Sequence, residues 1–178
     1  MRVTVTTPPT EEPVTYAEAT ATLLVEHDED EARIEGLITA ARVAAERATG
    51  RSFVTQTLTV RFDAREMSVG FVLPYGPVQS VTSFTTYDTE GTGTLTTSSD
   101  YQLAGDFISS HPGGGYWDVG RSLDTAQVVY VAGYGAASAV PTPIKEWIKA
   151  KVKSLYEGEP MLEGEAYLLE PFVSYQYG

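Results

Sequence analysis

Residues 28–57 read DEDEARIEGLITAARVAAERATGRSFVTQT and decide how the chain folds. Apolar side chains recur there every three or four positions, which is the spacing of an amphipathic helix. Asp28, with Glu31 three residues later, resembles the capping box that begins a helix, and Gly50 supplies the left-handed position that ends one. Charged residues such as Arg42 and Glu46 lie mostly off the apolar stripe, which comprises Ile34, Leu37, Ile38, Ala41, Ala45 and Ala48.

After this helix the apolar period changes to two, and shorter strand patterns follow. Leu58, Val60 and Phe62 are predicted to point inward from a half-buried strand. We therefore predict an α+β fold: a small bundle of two N-terminal helices and one C-terminal helix, with a β-rich insertion and an extended C-terminal tail. The predicted bounds are an extended arm at 1–13, helices at 16–25, 30–49 and 142–157, a β insertion at 53–131, one domain over 14–158 and a tail at 159–178.

The arm at 1–13 is rich in Thr, Pro and Glu, and we expect a partner to order it. Thr15 and Glu18 form a second capping-box pattern, which opens the first helix. The tail is expected to be loosely helical around residues 167–169 and extended after Pro171.

The amino-acid composition argues against several classes of protein. The formal net charge of −12 disfavours a protein that grips nucleic acid, because neutralising phosphates takes clustered Lys and Arg. The chain has no cysteine, so disulfides, thiol nucleophiles and thiolate metal sites are ruled out, and a cytoplasmic origin is compatible. We find no signal-peptide pattern and no apolar run approaching the ~20 residues of a membrane span.

Several clusters of residues could be interpreted as catalytic or ligand-binding sites, but each also has a simpler structural explanation. The run from His27 to Glu31 holds possible metal ligands, but acidic residues at a helix start more often cap the helix and offset its dipole. Residues 111–115 (HPGGG) lack the Lys and Ser/Thr of a phosphate-binding loop. The acid pairs Asp63–Glu66 and Asp118–Asp124 are weak evidence for a glycosidase in so acidic a chain. We predict no enzymatic activity, no cofactor and no metal site.

Aromatic residues make up 11% of the chain and several cluster near its C-terminus. One interpretation is that the tail folds back and completes the core; the other is that its aromatic side chains anchor the protein to another subunit, as in many interface cores. Tyr116 and Trp117 are predicted as further anchors in a partner-contact loop. The C-terminal aromatic residues are Tyr156, Tyr167, Phe172, Tyr175 and Tyr177.

Three blocks of sequence, in this order, resemble the head–tail connector (adaptor) proteins of tailed bacteriophages and related gene transfer agents. The first block joins LITAAR at residues 37–42 with Glu46, TGR at 49–51 and QT at 56–57. The second is VVYVAGYG at 128–135 followed by VPTPIK at 140–145, and the third is LLEPF at 168–172. Val173 and the added YQYG at 175–178 depart from the family's closing motif.

The resemblance implies a structural protein of the virion neck, made in the host cytoplasm. Such an adaptor forms a twelve-fold ring below the portal, receives a stopper or tail-completion protein, and lets DNA pass through its lumen without sequence-specific binding. By position in the closing motif, the residues expected to dock on the portal are Leu168, Leu169, Pro171 and Phe172; Tyr175 and Tyr177 extend this prediction beyond the motif.

The alternative is a β-rich module that binds carbohydrate or protein through exposed aromatic side chains. Such a module would be a monomer with a measurable glycan affinity, and it would not need the Ala-rich helix. A lumen lined by acidic residues would repel DNA phosphates, which is how the charge of −12 would serve an adaptor.

Overall fold

A computed structural model of the chain describes residues 1–25, 29–67, 70–110, 117 and 123–174. The predictions for His27, Asp28, residues 111–115 and Asp118 concern positions outside these ranges. The predicted α+β class is confirmed. The chain divides into two compact units: Met1–Pro8 with Gln56–Gly133, and Pro9–Thr55 with Tyr134–Gly178. We call them the β unit and the helical unit.

The helical unit contains the elements that the apolar periodicity predicts. Its helices are α1 (Tyr16–Leu23), α2 (Glu31–Thr49), α3 (Thr142–Glu157) and the short α4 (Glu163–Ala166), with 3-10 turns at Ala137–Ala139 and Tyr167–Phe172. The core is formed by Val14, Ala19, Leu23, Ile34, Ile38, Ala41, Ala45, Phe53, Val54, Val140, Ile144, Trp147, Ile148, Val152 and Leu169.

Local capping chemistry sets the helix ends. The Thr15–Glu18 capping box is present: the Glu18 amide donates to Thr15 Oγ1 at 3.2 Å and the Thr15 amide donates to Glu18 Oε2 at 2.7 Å. Helix α1 ends two residues earlier than predicted because Leu24 adopts a left-handed φ of 57°. No described helix is both long enough and apolar enough to cross a membrane.

The β unit consists of two antiparallel sheets. Five strands pair in the order β1-β2-β8-β4-β5 and three in the order β3-β7-β6. Their buried faces enclose the core residues Leu58, Val60, Phe62, Met67, Phe71, Leu73, Phe84, Ile108, Ala126, Val128, Tyr130 and Ala132. The strands are β1 (Arg2–Thr7), β2 (Gln56–Phe62), β3 (Gly70–Val72), β4 (Val78–Tyr87), β5 (Gly93–Thr96), β6 (Tyr101–Ala104), β7 (Phe107–Ser110) and β8 (Ala126–Ala132).

Two segments differ from the sequence-based bounds. The arm at 1–13 does not depend on a partner for its order, because β1 pairs with β2 of the same chain, with Val3 opposite Val60. The β insertion begins at Gln56 rather than at residue 53. Phe53 and Val54 continue the strand-like pattern, yet both are buried in the core of the helical unit, which the alternation alone could not reveal.

Candidate docking site

The turn that ends α2 is the first part of the candidate site. Gly50 adopts a left-handed φ of 65° and its amide donates to the Glu46 carbonyl, as does the amide of Arg51 at 3.2 Å. This C-cap closes the last turn of the helix. It leaves the carbonyl of Thr49 and the guanidinium of Arg51 available to another segment.

That other segment is the end of the chain. The Ser174 amide donates to the Thr49 carbonyl at 2.7 Å, and Arg51 Nε donates to the Phe172 carbonyl at 2.7 Å. A Cβ on Gly50 would lie 3.6 Å from Cβ of Ser174. The TGR motif and the LLEPF motif therefore form one structural feature, although more than a hundred residues separate them in sequence.

The predicted docking residues differ in how much surface they present. Leu169 is only 5% exposed and belongs to the core of the helical unit, while Leu168 and Phe172 are half-buried against it. Pro171 is exposed, and the 3-10 turn continues past it to Phe172 rather than ending there. Tyr175 and Tyr177 lie outside the described residues. The C-terminal segment therefore folds back onto the core of the helical unit and also presents an exposed surface.

Tyr167 lies in this segment but outside the closing motif, so it was not predicted as a docking residue. Tyr167 precedes the motif and is 54% exposed, and nearby Leu162 is 72% exposed. The signal available in the sequence was the cluster of C-terminal aromatic residues, which included Tyr167 but could not separate exposed members from buried ones.

A buried ionic cluster supports the same end of α2. Arg42 and Glu46 are 6% and 7% exposed, and Arg42 Nη1 donates to Glu46 Oε2 at 2.9 Å. Arg42 Nε donates to Glu12 Oε2 at 2.7 Å, and the Phe53 amide donates to Glu46 Oε1 at 2.9 Å. The cluster ties the segment before α1 and the segment after Gly50 to one helix.

Burial and hydrogen bonding act against each other in this cluster. Burial raises the pKa of Glu46, although the Phe53 amide and the Arg42 charge oppose the shift. Burial lowers the pKa of Arg42, but the hydrogen bond and charge of Glu12 together with the charge of Glu46 outweigh it and leave the pKa raised. Since both residues lie off the apolar stripe, the periodicity gave no sign of this burial.

The remaining predicted sites have structural roles. Trp117 is half-buried and its ring centroid lies 4.9 Å from that of Phe84 in the β unit, while Tyr116 is not among the described residues. Asp63 accepts a hydrogen bond from the Asp124 amide at 2.9 Å, and Glu66 accepts one from the Asp63 amide at 2.8 Å. In the described ranges no group of three or more His, Cys, Asp or Glu side chains is placed to hold a metal ion.

Comparison with known proteins gives no match in sequence and a close match in structure. No protein-family model and no curated protein matches the chain. A chain in the neck of an empty gene transfer agent (GTA) particle, computed with sixfold symmetry, superposes with a TM-score of 0.85 at 18% identity, covering 99% of this chain and 97% of that one.

Two further solved structures superpose on the chain over the same length. A chain in the virion of a native GTA particle gives a TM-score of 0.82 at 19% identity, and one in the neck of a native GTA particle, computed with twelvefold symmetry, gives 0.77 at 19%. Both alignments cover 99% of this chain and 97% of the other. At this level of identity the likeness establishes the fold. The resemblance found in the three sequence blocks is thereby confirmed at the level of fold: the chain has the fold of a chain from the neck of gene transfer agent particles.

Proposed function

We propose that this protein is a structural component of a virion neck, a head–tail connector that forms a ring below the portal and joins the DNA-filled head to the tail. The observation that carries the proposal is the likeness of the whole chain, over 99% of its length, to a chain in a GTA particle neck. The sixfold and twelvefold symmetries with which two of those structures were computed are consistent with a ring of many copies.

The C-terminal segment is the surface proposed to meet the portal. Its backbone is fixed by Arg51 and Thr49, and its outer side presents Pro171 and Tyr167. A segment whose backbone is already fixed loses little conformational entropy when it binds, which favours a firm joint between two rings. Leu169 contributes by holding the segment in place rather than by contacting the portal.

The opposite side of the proposed ring would receive a stopper or tail-completion protein, and DNA would pass through the lumen. The charge of −12 suits passage of DNA without adhesion, because like charges repel phosphate. The alternative of a carbohydrate-binding module gains no support, since the matching structures come from particle necks and virions.

Deleting the protein's coding sequence and examining the particles tests this proposal. We expect filled or partly filled heads that lack tails, and restoration of tailed particles when the intact chain is supplied. Normal tailed particles in the absence of the chain would refute the proposed role.

A further inference from the structure

Helix α2 presents an outer face that, apart from Glu12, which accepts a hydrogen bond from Thr39 Oγ1 at 2.9 Å, none of the described residues of its own unit covers. Its centre carries small side chains, and a Cβ added at Gly36 would meet no atom within 4 Å. Beside this centre Glu31 and Glu35 are both exposed and lie four residues apart, so they form a row along the helix. We call these two residues the acidic row. The exposed residues of the centre are Ala32, Gly36, Thr39, Ala40 and Val43.

A groove of about 380 Å³ runs beside the acidic row, between residues 11–16 and α2. Val14, Tyr16 and Ile38 line it. Glu12 and Glu11 at its edge already accept hydrogen bonds, from Arg42 and from the Ala137 amide respectively, whereas Glu35 makes no ion pair with the described residues. A long aliphatic side chain with a cationic end matches such a groove, since its stem contacts the apolar lining while its charge meets the carboxylate of Glu35.

Helix α3 carries that kind of side chain. All four lysines of the chain lie on it, at 145, 149, 151 and 153. Lys145, Lys149 and Lys153 are spaced by four residues and form a second row, the lysine row. Lys145 and Lys149 are half-buried and their charges act on Glu18 of α1, and Lys149 also pairs with Glu146 at 2.6 Å. Lys153 is exposed and makes no ion pair with the described residues.

The packing of the helical unit keeps these two surfaces apart within one chain. Helices α2 and α3 contact each other through buried side chains that include Ile34 and Ile148, so their exposed faces look away from each other. A contact between the outer face of α2 and the outer face of α3 therefore joins different copies. It is heterologous, and a heterologous contact closes into a ring when the rotation between copies allows it.

We propose that adjacent copies in the ring meet through these rows, with the lysine row of α3 on one copy against the acidic row and groove of α2 on the next. This inference rests on the proposed function, because it presupposes a ring. Rows of the same four-residue spacing on two helices have the same pitch, so both charges of the acidic row can face the lysine row, with the exposed Lys153 as the principal partner. The small residues of α2 allow the neighbouring helix to approach closely.

Cysteine cross-linking tests the contact directly, because the chain has no cysteine of its own. In the double variant Glu35→Cys, Lys153→Cys, rings assembled on the portal and treated with a short bismaleimide should give a ladder of covalent dimers, trimers and higher multimers. Each single variant is the control and should give none. Rings that form without a ladder, or a dimer from either single variant, would overturn this contact while leaving the proposed function standing.

Charge-reversal variants supply a second test, in which combining the two substitutions should restore ring assembly. Glu35→Lys or Lys153→Glu alone should weaken ring assembly about tenfold, with a loss that diminishes as salt increases, because attraction becomes repulsion. The combined variant should recover most of the loss, since each interface again joins opposite charges. If the combined variant loses as much ring assembly as a single variant, or the sum of both losses, the proposed contact between Glu35 and Lys153 is contradicted. Failure of the unmodified chain to form any ring on the portal would instead refute the proposed function, and this contact with it.

Discussion

At the scale of single residues, Gly50 is a position whose backbone conformation favours glycine. Its φ of 65° lies in the left-handed region, and Ser174 packs 3.6 Å from where a Cβ would be. We expect Gly50→Val to lower the free energy of unfolding by more than ~1 kcal/mol, because a β-branched residue is strained at this φ.

Urea denaturation of the purified variant measures this change, with Gly36→Ala as the matched control. Gly36 lies inside α2 with open space around it, so alanine there should stabilise the protein by ~0.5–1 kcal/mol. Equal effects of the two substitutions would show that helix propensity, not the C-cap conformation, governs both sites.

The buried Arg42–Glu46 pair leads to a second residue-scale prediction. Replacing Arg42 with Ala should destabilise the protein by ~3–5 kcal/mol, because it leaves Glu46 buried without its cationic partner. Arg47→Ala on the same helix is the control; Arg47 is exposed, so its loss should change the free energy of unfolding by less than ~0.5 kcal/mol. Similar values for both arginines would mean that the buried pair contributes nothing particular.

The raised pKa of Glu46 has a consequence for pH dependence. A carboxyl whose pKa is higher in the folded state binds more protons there, so its contribution to stability is present below the unfolded pKa and is lost as pH rises through the folded one. We therefore expect the stability difference between the natural protein and Glu46→Gln to fall as pH increases above 4.5, the ordinary pKa of a glutamate. Denaturation at several pH values measures it, and a difference that grows with pH would contradict the direction of the shift.

At the scale of elements, the C-terminal segment combines a structural side and an exposed side. Leu169→Ala should destabilise the helical unit by ~2–5 kcal/mol, since this side chain is 5% exposed in its core. Tyr167→Ala should leave the stability within ~0.5 kcal/mol, because 54% of that side chain is exposed, but should reduce attachment to portal.

Thermal unfolding and co-sedimentation with purified portal, applied to both variants, separate the two roles. The assignment of a docking surface would be contradicted if Tyr167→Ala and Pro171→Ala, singly and together, sediment with portal as fully as the natural chain does.

The elements that the sequence predicts well are those with a strong local signal. Helix α2 begins one residue after its predicted start and ends where predicted, because apolar spacing and Gly50 both act locally. The capping box of Thr15 with Glu18 is correct for the same reason.

The errors are at positions where non-local contacts decide the outcome. Within the predicted β insertion, β5 and β6 follow each other in sequence but belong to different sheets, because sheet membership depends on partners far away in sequence. Likewise, Arg42 and Glu46 are charged and off the stripe, yet Glu12 and the amide of Phe53 make their burial possible. The exposure of Tyr167 and the burial of Leu169 depend on how the tail folds back, which periodicity does not encode.

At the scale of the whole molecule, the chain passes three times between two units that each have a core of their own, at residues 8–9, 55–56 and 133–134. Two of the three sequence blocks that resemble connectors extend across such a passage, the first at 55–56 and the second at 133–134. The third block ends the helical unit. The resemblance therefore follows the architecture of the entire chain rather than one local motif, which agrees with structural matches covering 99% of it.

Electron cryomicroscopy of the vertex in purified particles tests the central claim most directly. We expect a ring of twelve copies of this chain below the portal, with the segment around Tyr167 and Pro171 against the portal. A neck that lacks the chain, or particles whose tails are joined to heads with the chain located elsewhere, would contradict it.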